Sequence, residues 1–171
     1  MDHLTGTIVA FVEANSHWAP LVIGALAFGE SLAVVSLFVP ATVILLSIGA
    51  LVAATGLDFW SVWLGAVIGA ALGDIVSYAF GYRYKHRALT IWPLPRYPGM
   101  VARGERFVLK YGAWGLFAGR FFGPVRAVGP LIAGVFAMPF ILFQAVTFAS
   151  AMVWAFAMLA PGAGIVALVT P

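Results

Sequence analysis

The chain has no cysteine and very little charge. Of its 171 residues only 9% are Asp, Glu, Lys or Arg, against about 25% in an ordinary soluble domain. The missing cysteines exclude disulfides, thiolate chemistry and cysteine-based metal sites. The missing charge excludes a soluble enzyme, because a globule of this size must cover itself with polar side chains. It also excludes a disordered chain or a nucleic-acid partner. Histidine is scarce: His3, His17 and His86 are scattered without ligand spacing, so no metal site and no cofactor is expected. There is no Gly-x-Ser-x-Gly elbow and no spaced nucleophile and base, so the chain is not expected to be an enzyme. No Lys or Arg precedes the first apolar run, where Met1-Asp2-His3 stand, unlike a cleavable secretory signal.

Apolar residues fill the space. They make up 63% of the chain, with a mean hydropathy of +1.05, so the solvent for most of this protein is lipid. The expected class is an all-α integral membrane protein, a single multi-pass domain over residues 1–171. Its net charge of +3 reads as topology. All nine Lys and Arg lie between Arg83 and Arg126, seven of them from Arg83 to Lys110. By the positive-inside rule the polar segment 83–110 is a cytoplasmic loop separating two apolar halves. A lipid-headgroup patch is the lesser reading of the same charges.

Two apolar stretches are poor simple spans. The segment 17–57, read as a hairpin plus a helix, is interrupted by Pro40, and 112–136 carries Gly123, Pro124 and Pro130 among further glycines. Each internal proline removes a backbone donor and clashes one turn back. Broken backbone at membrane depth is tolerated only inside protein or beside a wet cavity. Both stretches are therefore read as re-entrant hairpins, with kinked ordinary spans as the alternative. Pro40, Gly123, Pro124 and Pro130 are the breaking residues. The run 59–82 differs: Ser61, Gly65, Gly69, Gly73, Ser77 and Gly81 recur every fourth residue, a stripe that lets two helix backbones approach closely in lipid. The run 139–160 reads as a lipid-facing transmembrane helix. The six tryptophans, Trp154 included, mostly fall near span ends and read as an interfacial belt. At an offset of 90 positions Gly29-Glu30 aligns with Gly119-Arg120 and Pro40 with Pro130, a weak echo of two halves such as carriers use to build a mid-membrane site.

Four charges stand inside apolar runs: Glu30, Asp74, Arg120 and Arg126. Each would cost about 2.5 to 3.5 kcal/mol at a helix centre. They must meet each other, water or a ligand. A purely structural network of buried ion pairs is one reading. The other is a receptor. Six residues turn a straight helix through about 600°, so Arg120 and Arg126 would face apart unless the helix breaks between them, as Gly123-Pro124 suggests. Two converging guanidinium groups bind phosphate or carboxylate bidentately, and helix N-termini at the break would help.

The string Gly119-Arg120-Phe121-Phe122-Gly123-Pro124-Val125-Arg126, followed by Pro130 and Ala133-Gly134, resembles the signature of the DedA family within the SNARE-associated, or VTT-domain, superfamily. Gly73-Asp74 with Tyr78 and Gly81-Tyr82-Arg83 resembles its second motif. Phe28-Gly29-Glu30 with Val39-Pro40 and Gly49-Ala50 resembles its first. The likeness covers roughly residues 26 to 157. It implies two re-entrant hairpins in a helical bundle in the bacterial cytoplasmic membrane. It also implies movement of a polyprenyl phosphate or phospholipid across the bilayer, with proton coupling proposed in bacterial members. Glu30, Arg120 and Arg126 match its functional positions, and Asp74 its Gly-Asp motif. Thr42 stands where many members carry an acidic residue, so a proton-coupling carboxylate is either missing here or supplied by Glu30 and Asp74.

The expected function is thus a lipid-phosphate transporter or flippase, with Arg120 and Arg126 binding the phosphate and Glu30 and Asp74 pairing the arginines in the empty site. Its partners are a lipid phosphate and protons, and a homo-oligomer is compatible with the chain. The rival readings are a non-transporting bundle supporting other membrane proteins and envelope integrity, and a small ion or osmolyte carrier using the carboxylates.

Overall fold

The computed structural model describes residues 18–32, 52, 57–91 and 94–169. The hairpin expected around Pro40, and Thr42 with it, lies outside them. Five α-helices and no strand occur among the described residues: α1 (Ala19–Ser31), α2 (Phe59–Tyr84), α3 (Pro98–Gly119), α4 (Gly123–Val135) and α5 (Phe140–Val169). The stretches Phe59–Thr90 and Phe140–Pro161 are each long and apolar enough to cross a membrane. Their outer faces carry exposed Leu64, Ile68, Leu72 and Val76 on α2 and exposed Ile141, Leu142, Phe148 and Val153 on α5. A soluble protein seldom exposes so much contiguous apolar surface, whereas acyl chains solvate it.

Helix starts follow local chemistry. Pro20 sits in the first turn of α1 and Pro124 in that of α4, where the missing N–H has no helical partner to lose. Asp58 caps α2: its carboxylate accepts from the Ser61 amide at 2.9 Å and from the Ser61 hydroxyl. That satisfies an otherwise unpaired donor of the first turn.

The small-residue stripe is the contact surface at the centre of the bundle. A Cβ on Gly65 would fall on the Pro20 carbonyl, and one on Gly69 on the Gly24 carbonyl. Further along, Gly81 meets the Leu131 carbonyl and Gly134 of α4 meets the Tyr78 carbonyl. One face of α2 thus brings first α1 and then α4 to backbone contact, as small residues do in lipid. Two apolar clusters result. One gathers Ile23, Ala27, Val67, Ala70 and Leu159. The other gathers Tyr78, Val108, Val128, Leu131, Ile132 and Phe143. Asp74 lies between Ala70 of the first and Tyr78 of the second.

Three segments depart from expectation. The polar stretch 83–110 is not a plain loop: it forms two 3₁₀ turns (Lys85–Thr90 and Leu94–Arg96) and the first half of α3. Met100, Gly104 and Val108 are buried at four-residue spacing, which gives this charged segment an apolar helical face, and Gly104 faces Val128 and Ile132 of α4. Pro130 is not a breaking residue, because α4 continues through it. It is buried, and a proline within a packed membrane helix is tolerated when neighbours take up the freed groups. Likewise α5 does not stop before Pro161 but runs to Val169.

Candidate functional site

The site is built where α3 gives way to α4. Gly112 bends α3 with φ 55° and ψ −129°, a conformation that glycine alone adopts readily. The helix ends at Gly119. Arg120 and Phe121 form a turn, Phe122 is extended (φ −108°, ψ 105°), and α4 starts at Gly123. The break thus falls at 120–122, with Gly123 and Pro124 forming the first turn of the new helix. Because α3 and α4 pack on one another, the two form a helical hairpin with Arg120 near its tip. Arg126 lies on the near end of α4.

Both arginines meet an acid. Arg120 Nη2 donates to Asp74 Oδ2 of α2 in a buried ion pair. Arg126 Nη1 lies 2.7 Å from Glu30 Oε1, on the last turn of α1. Glu30 is 6% exposed, Asp74 2% and Arg120 6%. The hairpin tip is therefore tied to two separate helices by two charge pairs. Removing one partner of such a pair strands the other charge, at a cost of about 3 to 5 kcal/mol.

Helix α5 supplies the other contacts. Arg120 Nε donates to Ser150 Oγ at 3.0 Å, and that hydroxyl in turn donates to the Thr147 carbonyl at 2.9 Å. The Arg126 guanidinium carbon sits over the Trp154 ring, 4.1 Å from its centroid. Trp154 is 2% exposed, so it is a buried neighbour of the site and not a member of an interfacial belt. Thr147, Ser150 and Trp154 were missed in the sequence. Their signal was present: spacings of three and four residues put them on one face of an apolar helix, where two hydroxyls need a reason.

Donors remain. Arg120 Nη1 and Arg126 Nε and Nη2 are buried and have no hydrogen-bond partner among the described residues. Both arginines also line, with Asp74, Pro130, Thr147 and Ser150, a cavity of about 20 Å³, which is room for a single water. With both ion pairs closed there is no space for a phosphate. The arrangement can receive an oxyanion only when a carboxylate yields its arginine. Among the described residues no three His, Asp or Glu side chains come together to hold a metal ion.

The family profile described as the VTT domain matches residues 39–164. The inner membrane protein YabI of Escherichia coli (strain K12) is 30% identical over 145 residues, covering 84% of this chain and 57% of YabI. An uncharacterized membrane protein of Buchnera aphidicola subsp. Acyrthosiphon pisum is 26% identical over 86% of this chain and 57% of its own. One from Mycobacterium tuberculosis (strain ATCC 25618 / H37Rv) is 32% identical over 79% of this chain and 63% of its own. The chain thus spans about three fifths of the length of these relatives. No solved structure gives a significant match. Composition, the two long apolar helices and these relatives place the chain in the bacterial cytoplasmic membrane, and it belongs to the VTT-domain, or DedA, family of integral membrane proteins.

Proposed function

We propose that this protein is a membrane transporter whose cargo is a lipid phosphate, a polyprenyl phosphate or a phospholipid, and that it performs no covalent chemistry. One observation carries the reading: two guanidinium groups converge on one buried cavity at a helix break, with three N–H-bearing nitrogens still unpaired among the described residues. Planar guanidinium forks bind tetrahedral oxyanions bidentately and stay charged when buried. The headgroup would enter between the arginines while its tail remains in lipid, and the α3–α4 hairpin would be re-entrant.

In this reading the ion pairs are the resting state. Protonating Asp74 or Glu30 removes its hold on an arginine, and the incoming phosphate replaces the lost negative charge. Net charge in the site is then nearly constant through the exchange, which keeps the barrier low in a medium of low dielectric. Proton coupling follows from that exchange and needs no acid at position 42.

The test is a reconstituted flipping assay. Arg120→Ala and Arg126→Ala should each abolish polyprenyl-phosphate movement while the protein stays folded in detergent. Unchanged movement in both ends the proposal.

A second reading is favoured by the closed pairs themselves: the four charges cross-link α1, α2, α4 and the hairpin tip, and the protein is a non-transporting bundle. Under it Glu30→Gln lowers thermal stability and leaves any lipid movement intact.

A further inference from the structure

Helix α5 touches both arginines, one helical turn apart, and this bears on which of their N–H groups are left without a partner. Ser150 Oγ gives its only proton to the Thr147 carbonyl, so toward Arg120 the hydroxyl can only accept, and it accepts from Nε. With Nη2 on Asp74, Nη1 is the group left over. The Trp154 ring lies 4.1 Å from the Arg126 guanidinium carbon. At that distance it shuts water and ligand out from that side of the cation and attracts it through the ring quadrupole. With Nη1 on Glu30, Nε and Nη2 are left over. That pair forms one side of the guanidinium, the edge that receives two oxygens of one anion in a plane.

We propose that Trp154 and Ser150 are positioning residues for an oxyanion. From one face of α5 they fix the two guanidinium groups so that the Nε/Nη2 edge of Arg126 and Nη1 of Arg120 are reserved for it. The inference rests on the lipid-phosphate reading of the site. It adds that affinity for the anion depends on a helix that contributes no charge. When a carboxylate lets go of its arginine, the indole face and the Ser150 lone pair remain, so neither guanidinium loses its orientation during the exchange.

The test measures equilibrium binding of farnesyl phosphate to the purified full chain in detergent, with farnesol as a control for the tail. Trp154→Leu should weaken farnesyl phosphate binding about tenfold, the order carried by a desolvated cation–π contact. Trp154→Phe, which keeps a weaker ring face, should fall between Trp154→Leu and wild type. Ser150→Ala should weaken binding by a similar factor. Farnesol binding should be the same in all three. A merely structural role would lower the melting temperature and change both ligands alike. Fluorinated tryptophan, which drains the ring quadrupole and keeps its shape, covers the case in which Trp154→Leu does not fold. It should weaken farnesyl phosphate binding to the wild-type chain and leave the Trp154→Phe chain unaffected. Wild-type affinity in Trp154→Leu and Ser150→Ala, or indifference to fluorination, overturns the inference while loss of binding in Arg126→Ala leaves the phosphate reading standing. Wild-type affinity in Arg126→Ala overturns both.

Discussion

Arg120 and Asp74 stand 46 residues apart in the chain and form a buried ion pair that joins the tip of the α3–α4 hairpin to the middle of α2. Asp74→Asn should leave the guanidinium without its counter-charge and destabilise the protein by about 3 to 5 kcal/mol. Replacing both partners by apolar residues, Asp74→Leu with Arg120→Met, should recover most of that loss, because no charge is then stranded. Thermal unfolding in detergent measures both. Under the transporter reading the double variant is stable and inactive.

The contact of α1 with α2 depends on hydrogen in place of a methyl group. Gly69→Ala would drive a Cβ into the Gly24 carbonyl, and both backbones are held by the rest of the interface. We expect a loss of about 1 to 3 kcal/mol. Gly99→Ala meets nothing within 4 Å and should be neutral within about 0.5 kcal/mol. The difference in melting temperature between the two variants checks the packing directly.

Gly112 has equally open surroundings, yet its φ of 55° makes it a different case. Gly112→Ala should cost about 1 to 2 kcal/mol through backbone strain alone. A stability equal to wild type would show that α3 runs straight through this position.

Asp58 offers a pH-dependent signal from outside the membrane-spanning helices. The hydroxyl and amide of Ser61 hold its carboxyl below the ordinary value of 3.8. A folded-state pKa below the unfolded one means that the contribution is present in full above pH 3.8 and is lost as pH falls through the folded value. The stability difference between wild type and Asp58→Ala should therefore be constant from neutral pH down to about pH 5 and shrink below the carboxylate range. Chemical unfolding at a series of pH values reads it out.

The sequence disclosed the site's charges more clearly than its surroundings. Glu30, Asp74, Arg120 and Arg126 were visible because a charge in an apolar run is expensive and must be compensated. The stripe through Gly65, Gly69 and Gly73 was visible because its four-residue period is that of a helix face. Trp154 was not, because a tryptophan near the end of an apolar run is usually interfacial, and only the fold shows what its ring covers. The early half of α3 was hidden by its own cationic residues: Arg103, Arg106 and Lys110 mark a solvated segment, while the apolar face at Met100, Gly104 and Val108 contains just two large side chains. Pro130 looked like a break because local rules count the lost hydrogen bond and not the neighbours that tolerate it.

The central claim is that the arginines receive a phosphate in exchange for a carboxylate. Native mass spectrometry of the protein with a polyprenyl phosphate, comparing wild type with Arg126→Ala from about pH 5 to pH 8, addresses it most directly. The account predicts bound lipid phosphate in wild type and little binding in Arg126→Ala at any pH in that range. Equal occupancy in the two proteins across the whole range would contradict it.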